Sequence, residues 1–380
     1  MTFHRILQLP ELIYKKSHFL FGPRGTGKTF LIREQLKGNA KILNLLEQDL
    51  FLRLSASPWE LRAIIASTDR NVPVVIDEVQ KVPALLDEVH RLIEEEGRTF
   101  LLTGSSARKL RRGSANLLAG RARLAEIFPL TSHEIPKFDL ERYLRVGGLP
   151  FVYASDDPSE DLDAYVRTYL QEEVQAEGLT RNLPGFARFL KTAALLNGTV
   201  LNYTKLGSDA ELSPSTVRQY IQILEDTLLG FRIAPFRKSL KRKAISTEKF
   251  YLFDVGVSHA ISGIRHVDRL SDIYGRSFEQ FIALELRAFL SYRRTKEELS
   301  FWRSKHGAEV DFIVGDRLAI EVKASSRTGA HDAKGLRTLQ EEGLPLSYYL
   351  ISQDPLERVD HGVTFICWDT FLSRLWGGTL

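Results

Sequence analysis

The sequence predicts an α/β protein in three parts: a nucleotide-binding domain on a parallel sheet, a helical and winged-helix middle, and a C-terminal α/β domain. Three patterns support this: a GPRGTGKT motif at 22–29, a helix-turn-helix followed by two strands at 202–254, and two strands with alternating apolar residues at 310–322. A length of 380 residues agrees with several domains. We place the nucleotide-binding core, a helical linker or lid region, the winged helix and the C-terminal domain at 1–135, 136–200, 201–265 and 266–380.

The composition is that of an ordinary globular protein, with 43% hydrophobic and 26% charged residues. The single cysteine, Cys367, excludes a disulfide within the chain and a zinc site made of cysteines alone. The first residues lack the apolar core of a signal peptide, and the apolar runs are shorter than the roughly 18 residues that span a bilayer. We therefore expect a cytoplasmic protein that is not bound to a membrane.

The GPRGTGKT motif predicts a binding loop for the phosphates of ATP. An apolar run at 18–21 precedes it and a helix-like run at 30–36 follows it, which is the strand–loop–helix context that this motif requires. Glycines let backbone N–H groups surround phosphate oxygens. We expect Lys28 to reach the β- and γ-phosphates and the Thr29 hydroxyl to hold Mg²⁺. The predicted nucleotide-binding residues of the motif are Gly22, Pro23, Arg24, Gly25, Thr26, Gly27, Lys28 and Thr29.

A second apolar strand, at 72–76, ends in the acids Asp77 and Glu78. The carboxyl ends of parallel strands meet at one edge of a sheet, so both acids are expected beside the phosphate loop. Asp77 is placed to hold the Mg²⁺ ion through water. Glu78 is placed to polarise the water that attacks the γ-phosphate.

Further residues after the next strand, at 99–103, are candidates for contact with the γ-phosphate. Thr103 and Ser105 both fit, and the pattern does not choose between them. Arg121 would contact a phosphate of its own or of a neighbouring subunit, because its guanidinium stays charged and spreads its donors in a fork. An exposed surface arginine explains Arg121 equally well.

The N-terminal part resembles an AAA+ ATPase, and more narrowly the prokaryotic family in which an AAA-type ATPase precedes a DUF4143 region. The residues that support this are GPRGTGKT at 22–29, VVIDEVQ at 74–80, LLTGSS at 101–106, LAGR at 118–121 and IFPLT at 127–131. The resemblance covers nearly the whole chain. It implies a homo-oligomer, a ring or a smaller assembly, with ATP at the subunit interfaces.

The middle part shows helices at 202–210 and 216–229, then strands at 231–236 and 250–254, which is typical of a winged helix. The second helix would present Arg218 and Gln219 to DNA. Winged helices also serve as packing or protein-contact modules, and a basic cluster alone indicates only a solvated surface. The basic residues of the wing that would contact the DNA backbone are Lys238, Lys241, Arg242 and Lys243.

The two strands at 309–314 and 318–323 can be paired by their alternation. The apolar residues of both strands share one face only if the loop has an odd length, most simply 315–317. In that register Asp311 lies opposite Glu321, with Lys323 on the same face. Two carboxylates and a lysine form a candidate Mg²⁺ site in which the carboxylates bind the metal and the lysine orients the nucleophile. A solvent-facing strand with an ion pair fits the alternation equally well.

The D-x₉-E-V-K spacing, preceded by a helix glutamate, is similar to the PD-(D/E)XK nuclease superfamily. By that resemblance Asp311, Glu321 and Lys323 are the core catalytic residues, Glu279 is the helix acid, and Mg²⁺ or Mn²⁺ is the metal. Val310 replaces the proline of the family pattern. Members of this superfamily also include inactive DNA-binding or structural modules.

Together these patterns predict ATP hydrolysis coupled to the handling of DNA, with metal-dependent phosphodiester cleavage by the C-terminal domain. Branched DNA is one candidate substrate, by analogy with resolvase-like members of the nuclease superfamily. One alternative is an ATP-driven DNA remodeller or clamp with a nuclease-like domain that binds without cutting. Another is a nucleotide-gated scaffold that acts on protein partners.

Overall fold

The computed structural model of the protein describes residues 2–14, 16–104, 118, 120–170, 182–238 and 245–380. The chain divides into two compact units. The N-terminal unit contains residues 1–130, 149–151 and 226–229, and the C-terminal unit contains residues 131–148, 152–225 and 230–380. Ser105 and the wing residues Lys241, Arg242 and Lys243 lie outside the described residues.

A five-stranded sheet forms the centre of the N-terminal unit. Its order is β2-β3-β4-β1-β5 and its neighbouring strands are parallel. Strands β1, β3 and β4 are buried along their whole length, which explains their continuous apolar sequences. The strands β1 to β5 are Ser17–Phe21, Lys41–Asn44, Val74–Asp77, Phe100–Gly104 and Ala122–Glu126.

Helices cover this sheet and bury its apolar side chains, including Phe19, Ile76 and Leu102. A short 3₁₀ turn, Val79–Lys81, follows β3 directly. The strands and helices predicted around the phosphate loop and the acid pair are all present. The helices of this part are Leu9–Ile13, Lys28–Leu36, Gln48–Ala56, Glu60–Ile65 and Leu85–Glu96.

An eight-stranded mixed sheet forms the centre of the C-terminal unit, in the order β12-β13-β11-β10-β9-β8-β6-β7. Strands β8, β9 and β10 are antiparallel, whereas β11 is parallel to β10. The core on one side of this sheet includes Trp302, Ile313 and Leu350. The strands β6 to β13 are Gly230–Pro235, Lys249–Leu252, Leu299–Arg303, Glu309–Val314, Leu318–Val322, Ser347–Ser352, Arg358–Asp360 and Val363–Cys367.

Several helices of the C-terminal unit begin at side chains that cap their first N–H groups. Asn202 accepts a hydrogen bond from the Lys205 N–H at 2.9 Å, and Ser213 accepts one from the Thr216 N–H at 3.1 Å. None of the helices in the described ranges combines the length and the apolar character that a membrane crossing requires. Within residues 131–380 the described helices are Leu140–Val146, Pro150–Tyr153, Pro158–Ala164, the π-helix Tyr165–Leu170, Leu183–Leu195, Tyr203–Ala210, Pro214–Asp226, Val255–Ser262, Asp272–Tyr292, Lys334–Gln340 and Trp368–Gly377.

The hairpin predicted as a wing is present, but it is part of the large sheet. Strands β6 and β7 are antiparallel, and β6 also pairs in parallel with β8 through Ala234 and Ser300. The pairing of β6 with β8 joins distant parts of the chain, so no local pattern predicts it. As a result, β7 belongs to the same sheet as the strands of the predicted metal site.

Candidate functional site

Two glycines give the phosphate loop its shape. Gly25 and Gly27 have φ values of 81° and 91°, which glycine adopts without steric cost. The Thr26 hydroxyl donates a hydrogen bond to the Pro23 carbonyl at 2.7 Å. A Cβ atom on Gly22 would lie 2.5 Å from the Ile127 carbonyl oxygen, so glycine is also required where the loop leaves β1. The loop is therefore formed by local backbone geometry and by packing against residue 127.

Lys28 begins the helix after the loop, and its side chain is buried against the loop itself. Its Nζ donates to the carbonyl oxygens of Gly22 at 2.6 Å and Pro23 at 3.1 Å. The ammonium group is thus held by the backbone that would surround a phosphate. The contact of Lys28 with the β- and γ-phosphates stays a prediction.

Three polar side chains meet where β3 and β4 end beside the loop. The Thr29 hydroxyl donates to Asp77 Oδ2 at 2.8 Å, and the Thr103 hydroxyl donates to Asp77 Oδ1. Asp77 and Thr103 are 1% and 0% exposed. Strand β4 lies between β1 and β3, which places Thr103 beside both the acid and the loop. The predicted Mg²⁺ residues Thr29 and Asp77 are therefore in direct contact.

Glu78 has an unusual backbone conformation. Its φ of 62° and ψ of 42° lie in the left-handed region, which costs a residue with a side chain about 1 to 3 kcal/mol. Its N–H donates to the Thr103 hydroxyl at 3.2 Å, and its carboxylate accepts a hydrogen bond from the Gln80 amide. Gln80 stands in the VVIDEVQ segment, but the sequence did not indicate its contact with the acid.

Three other residues predicted to contact ATP or DNA interact with side chains of the protein itself. Arg121 forms an ion pair with Glu94 at 2.5 Å. Arg218 and Gln219 are exposed on helix Pro214–Asp226, and the Arg218 guanidinium stacks 4.8 Å from the ring centre of Tyr203. Exposed Lys238 pairs with Asp316 at 2.5 Å.

The predicted register of β9 and β10 is present in the C-terminal unit. Val314 pairs with Leu318 across a three-residue loop, and Phe312 pairs with Ile320. Asp311 and Glu321 are only 8% and 7% exposed, so this face of the sheet is not the solvent-facing surface of the alternative interpretation.

Hydrogen bonds fix both acids of these strands. Asp311 Oδ2 accepts a hydrogen bond from the Val322 N–H at 2.9 Å. Glu321 Oε1 accepts one from Lys323 Nζ at 2.6 Å, whereas Glu321 Oε2 is buried and has no hydrogen-bond partner in the described part of the chain. Lys323 thus pairs with Glu321, as their places on one face predicted.

A buried lysine that sequence reasoning missed lies among the predicted metal ligands. Lys249, on β7, is 3% exposed, and its Nζ is 3.2 Å from Glu279 Oε1, 2.6 Å from Glu309 Oε1 and 3.6 Å from Asp311 Oδ1. The neighbouring Tyr251 hydroxyl donates to Glu279 Oε1 at 2.6 Å. A lysine at the start of the apolar segment KFYLF was the only signal of this contact.

Burial and mutual charge shift the pKa values in this cluster. Burial raises the pKa of Glu279, and burial together with the Asp311 charge raises the pKa of Glu321 well above its usual range. Burial would lower the pKa of Lys249, but Tyr251 and the surrounding carboxylates hold it well above its usual value. The ammonium form of Lys249 is therefore strongly favoured.

A divalent metal does not fit this cluster as the structure arranges it. The space between Glu279, Glu309 and Asp311 contains the Lys249 ammonium. In the part of the chain that the structure describes, no group of three or more His, Cys, Asp or Glu side chains is placed to hold a metal ion. The prediction that Asp311 and Glu321 bind Mg²⁺ or Mn²⁺ is therefore not supported by the geometry.

A cavity of about 730 Å³ adjoins the cluster within the C-terminal unit. Glu279 and Lys323 belong both to the cluster and to the wall of this cavity. Its other polar walls include Arg276, Ser325 and Ser326, so the cavity presents cationic and hydroxyl groups next to the buried acids.

The N-terminal fold and its loop define a nucleotide-binding domain, and comparison with known families supports that class. Residues 14–136 match the family model described as an AAA domain. Residues 137–268 and 274–368 match two domains of unknown function, DUF8612 and DUF4143. These matches support the predicted order of an AAA-type domain followed by a DUF4143 segment.

Similar proteins include relatives without an established function. An uncharacterized protein of Mycobacterium tuberculosis is 26% identical over 81% of this chain and 70% of its own length. An uncharacterized protein of Methanocaldococcus jannaschii is 25% identical over 80% of this chain and 73% of its own length. Among solved structures, the Walker-type ATPase paby2304 of Pyrococcus abyssi aligns with a TM-score of 0.44 and 15% identity, over 67% of this chain and 93% of its own.

Proposed function

We propose that the protein binds ATP with Mg²⁺ at the phosphate loop and hydrolyses it. The observation that supports this most is the contact of Asp77 with both Thr29 and Thr103, beside the loop that holds Lys28. The Thr29 hydroxyl and the Asp77 carboxylate are hard oxygen donors that suit Mg²⁺, which when bound supplies positive charge to the phosphates.

Within this proposal each residue has a distinct role. Lys28 Nζ now donates to two loop carbonyl oxygens. When ATP binds, contacts with the β- and γ-phosphates replace these hydrogen bonds. Glu78 accepts the proton of the attacking water. Thr103 positions both acids, since its hydroxyl contacts the Asp77 carboxylate and the Glu78 N–H. Arg121 is 33% exposed, so its side chain can contact a phosphate of the ATP bound to a neighbouring subunit of a homo-oligomer.

Thr103→Val tests this arrangement directly. Valine keeps the side-chain shape but removes the donor to Asp77 and the acceptor of the Glu78 N–H. We expect ATP turnover, measured as phosphate release with Mg²⁺, to fall at least about tenfold, which corresponds to about 1.4 kcal/mol of lost positioning. Thr68→Val, in the same unit, is the matched control and should leave turnover unchanged. A wild-type protein without ATP turnover would defeat the proposal.

We further propose that the C-terminal unit binds DNA through its basic surface. Support comes from the exposed positions of Arg218, Gln219 and Lys238 and from the basic residues at 241–243. Phosphate backbones attract such groups independently of sequence. The partner is therefore expected to be recognised by its charge more than by its bases.

Simultaneous alanine substitution of Lys241, Arg242 and Lys243 is expected to weaken DNA binding and its salt dependence. Each phosphate contact adds about 0.9 to the slope of log affinity against log salt concentration, so the slope should shrink by about 2 to 3. Fluorescence anisotropy with labelled duplex DNA over a salt series measures both effects. The matched control replaces three exposed lysines, Lys296, Lys305 and Lys334, with the same loss of charge. An equal change in slope for both variants would remove the wing from the interface.

Of the two DNA-directed alternatives, the structure favours binding without cleavage. The ammonium of Lys249 lies between the acids that a metal-dependent nuclease would need for its metal. We expect no cutting of end-labelled single-stranded, duplex or four-way-junction DNA with Mg²⁺ or Mn²⁺, under conditions in which ATP is hydrolysed. Cutting that disappears in Lys323→Ala would contradict this and establish a nuclease.

A further inference from the structure

The acid cluster of the C-terminal unit consists of Glu279, Glu309, Asp311 and Glu321. Two lysines compensate it from different sides, and Arg303 Nε lies 3.5 Å from Glu309 Oε2. Lys249 Nζ lies within 3.6 Å of oxygen atoms of the first three acids. Lys323 Nζ pairs with Glu321 at 2.6 Å. The Lys249 side chain is 3% exposed, whereas that of Lys323 is 37% exposed and reaches the adjoining cavity.

The number of charges explains why a cation must lie in this cluster. Buried carboxylates require a counter-charge, because removing an unpaired ion from water costs several kcal/mol. Four acids face two ammonium groups and one guanidinium, that of Arg303, and Glu321 Oε2 remains buried without a hydrogen-bond partner in the described residues. The cluster therefore keeps an excess of negative charge and one acceptor oxygen, Glu321 Oε2, that a divalent cation could use.

We propose that Lys249 is the built-in cation of this site, in the place that a divalent metal would take, and that removal of its ammonium converts the acid cluster into a divalent-cation site. The native C-terminal unit accordingly takes up neither Mg²⁺ nor Mn²⁺ at these acids. If DNA is the ligand, as proposed above, a phosphate in the adjoining cavity meets Lys323 in place of a metal, and binding is independent of divalent ions.

The conversion requires the acid side chains to move closer together. The three oxygen atoms around Lys249 Nζ lie 2.6, 3.2 and 3.6 Å from it. Mg²⁺ binds oxygen ligands at about 2.0 to 2.1 Å, so the three side chains need to approach by roughly 0.5 to 1.6 Å. Lys249→Ala also removes the aliphatic stem, which leaves room for metal-bound water.

The test measures Mn²⁺ itself on the full-length chain without nucleotide, by electron paramagnetic resonance of free Mn²⁺ and by thermal unfolding. All variants are made in a parent protein that carries Asp77→Asn, because this substitution removes the acid expected to hold metal at the ATP site. We expect Lys249→Ala to bind one Mn²⁺ per chain at least tenfold more tightly than its parent, and to unfold at a higher temperature when Mn²⁺ is added. Lys249→Ala combined with Asp311→Asn should lose both effects, and Lys305→Ala, an exposed lysine of the same unit, should behave like the parent.

Two results would overturn the inference. One is Mn²⁺ binding by the Asp77→Asn parent itself, if that binding disappears when Asp311→Asn is added. The other is a Lys249→Ala variant whose Mn²⁺ affinity and unfolding temperature match those of the parent. If Lys249→Ala does not fold, Lys249→Ser takes its place, because serine leaves nearly the same room for metal-bound water and keeps a polar group among the acids. The measurement on the Asp77→Asn parent still decides the first point. ATP turnover of the wild type and its DNA affinity in EDTA are measured separately. Failure of the proposed function can therefore be told apart from failure of this inference.

Discussion

Replacement of Glu78 by glutamine is expected to slow ATP hydrolysis about 100- to 10,000-fold while ATP binding is retained. A positioned general base contributes a factor of this size, and the amide of glutamine has the same shape but cannot accept the proton of the attacking water. The backbone at this position is held by the Glu78 N–H contact with Thr103, which the substitution preserves. Phosphate release and calorimetric ATP binding measure the two properties independently.

Two control variants separate this role from general damage to the domain. Glu47→Gln alters an exposed acid of the same unit and should leave turnover unchanged. Lys28→Ala removes the group that the loop positions for the phosphates, so it should lower both binding and hydrolysis without unfolding the chain. Full turnover in Glu78→Gln would exclude Glu78 as the base and direct attention to another acceptor.

The N-terminal site was largely predictable because its signals are local. The loop, the buried strands and the acid pair are each contained in short segments, and the family pattern orders them. The contact of Thr103 with the γ-phosphate stays a prediction, and the structure adds its contacts with Asp77 and Glu78. Those contacts depend on the position of β4 between β1 and β3.

In the C-terminal unit, the alternation of apolar residues predicted the register of β9 and β10, and hence that Asp311 and Glu321 lie together. This alternation does not indicate Lys249, because Lys249 lies on β7, in a separate hairpin. Its contacts join that hairpin to Glu279 on helix Asp272–Tyr292 and to Asp311 on β9. Sheet membership of β6 and β7 depends on a single parallel pairing, that of β6 with β8. Contacts of this kind depend on tertiary packing, which periodicity does not encode.

Lys249→Ala is expected to lower the free energy of unfolding of the C-terminal unit by about 3 to 5 kcal/mol at neutral pH in EDTA. Removal of one partner from a buried ion pair leaves the other charges uncompensated. Glu279 and Glu309 would lose their contacts with the ammonium, and Asp311 would lose a neighbouring positive charge. Lys323→Met is the matched comparison: its side chain is 37% exposed, so water replaces part of the lost interaction and the deficit should be smaller.

The pH dependence of this deficit distinguishes lost charge compensation from lost packing. The pKa values of Glu279 and Glu321 are already raised by burial, and loss of the Lys249 charge raises them further. An acid whose pKa is raised in the folded state stabilises it at low pH, and this contribution is lost as the pH rises through the folded pKa. The deficit of Lys249→Ala should therefore be smaller at pH 5 than at pH 8 in urea unfolding, whereas a deficit caused by a cavity alone would be the same at both. A deficit that does not vary with pH would show that Lys249 contributes packing and not charge to the cluster.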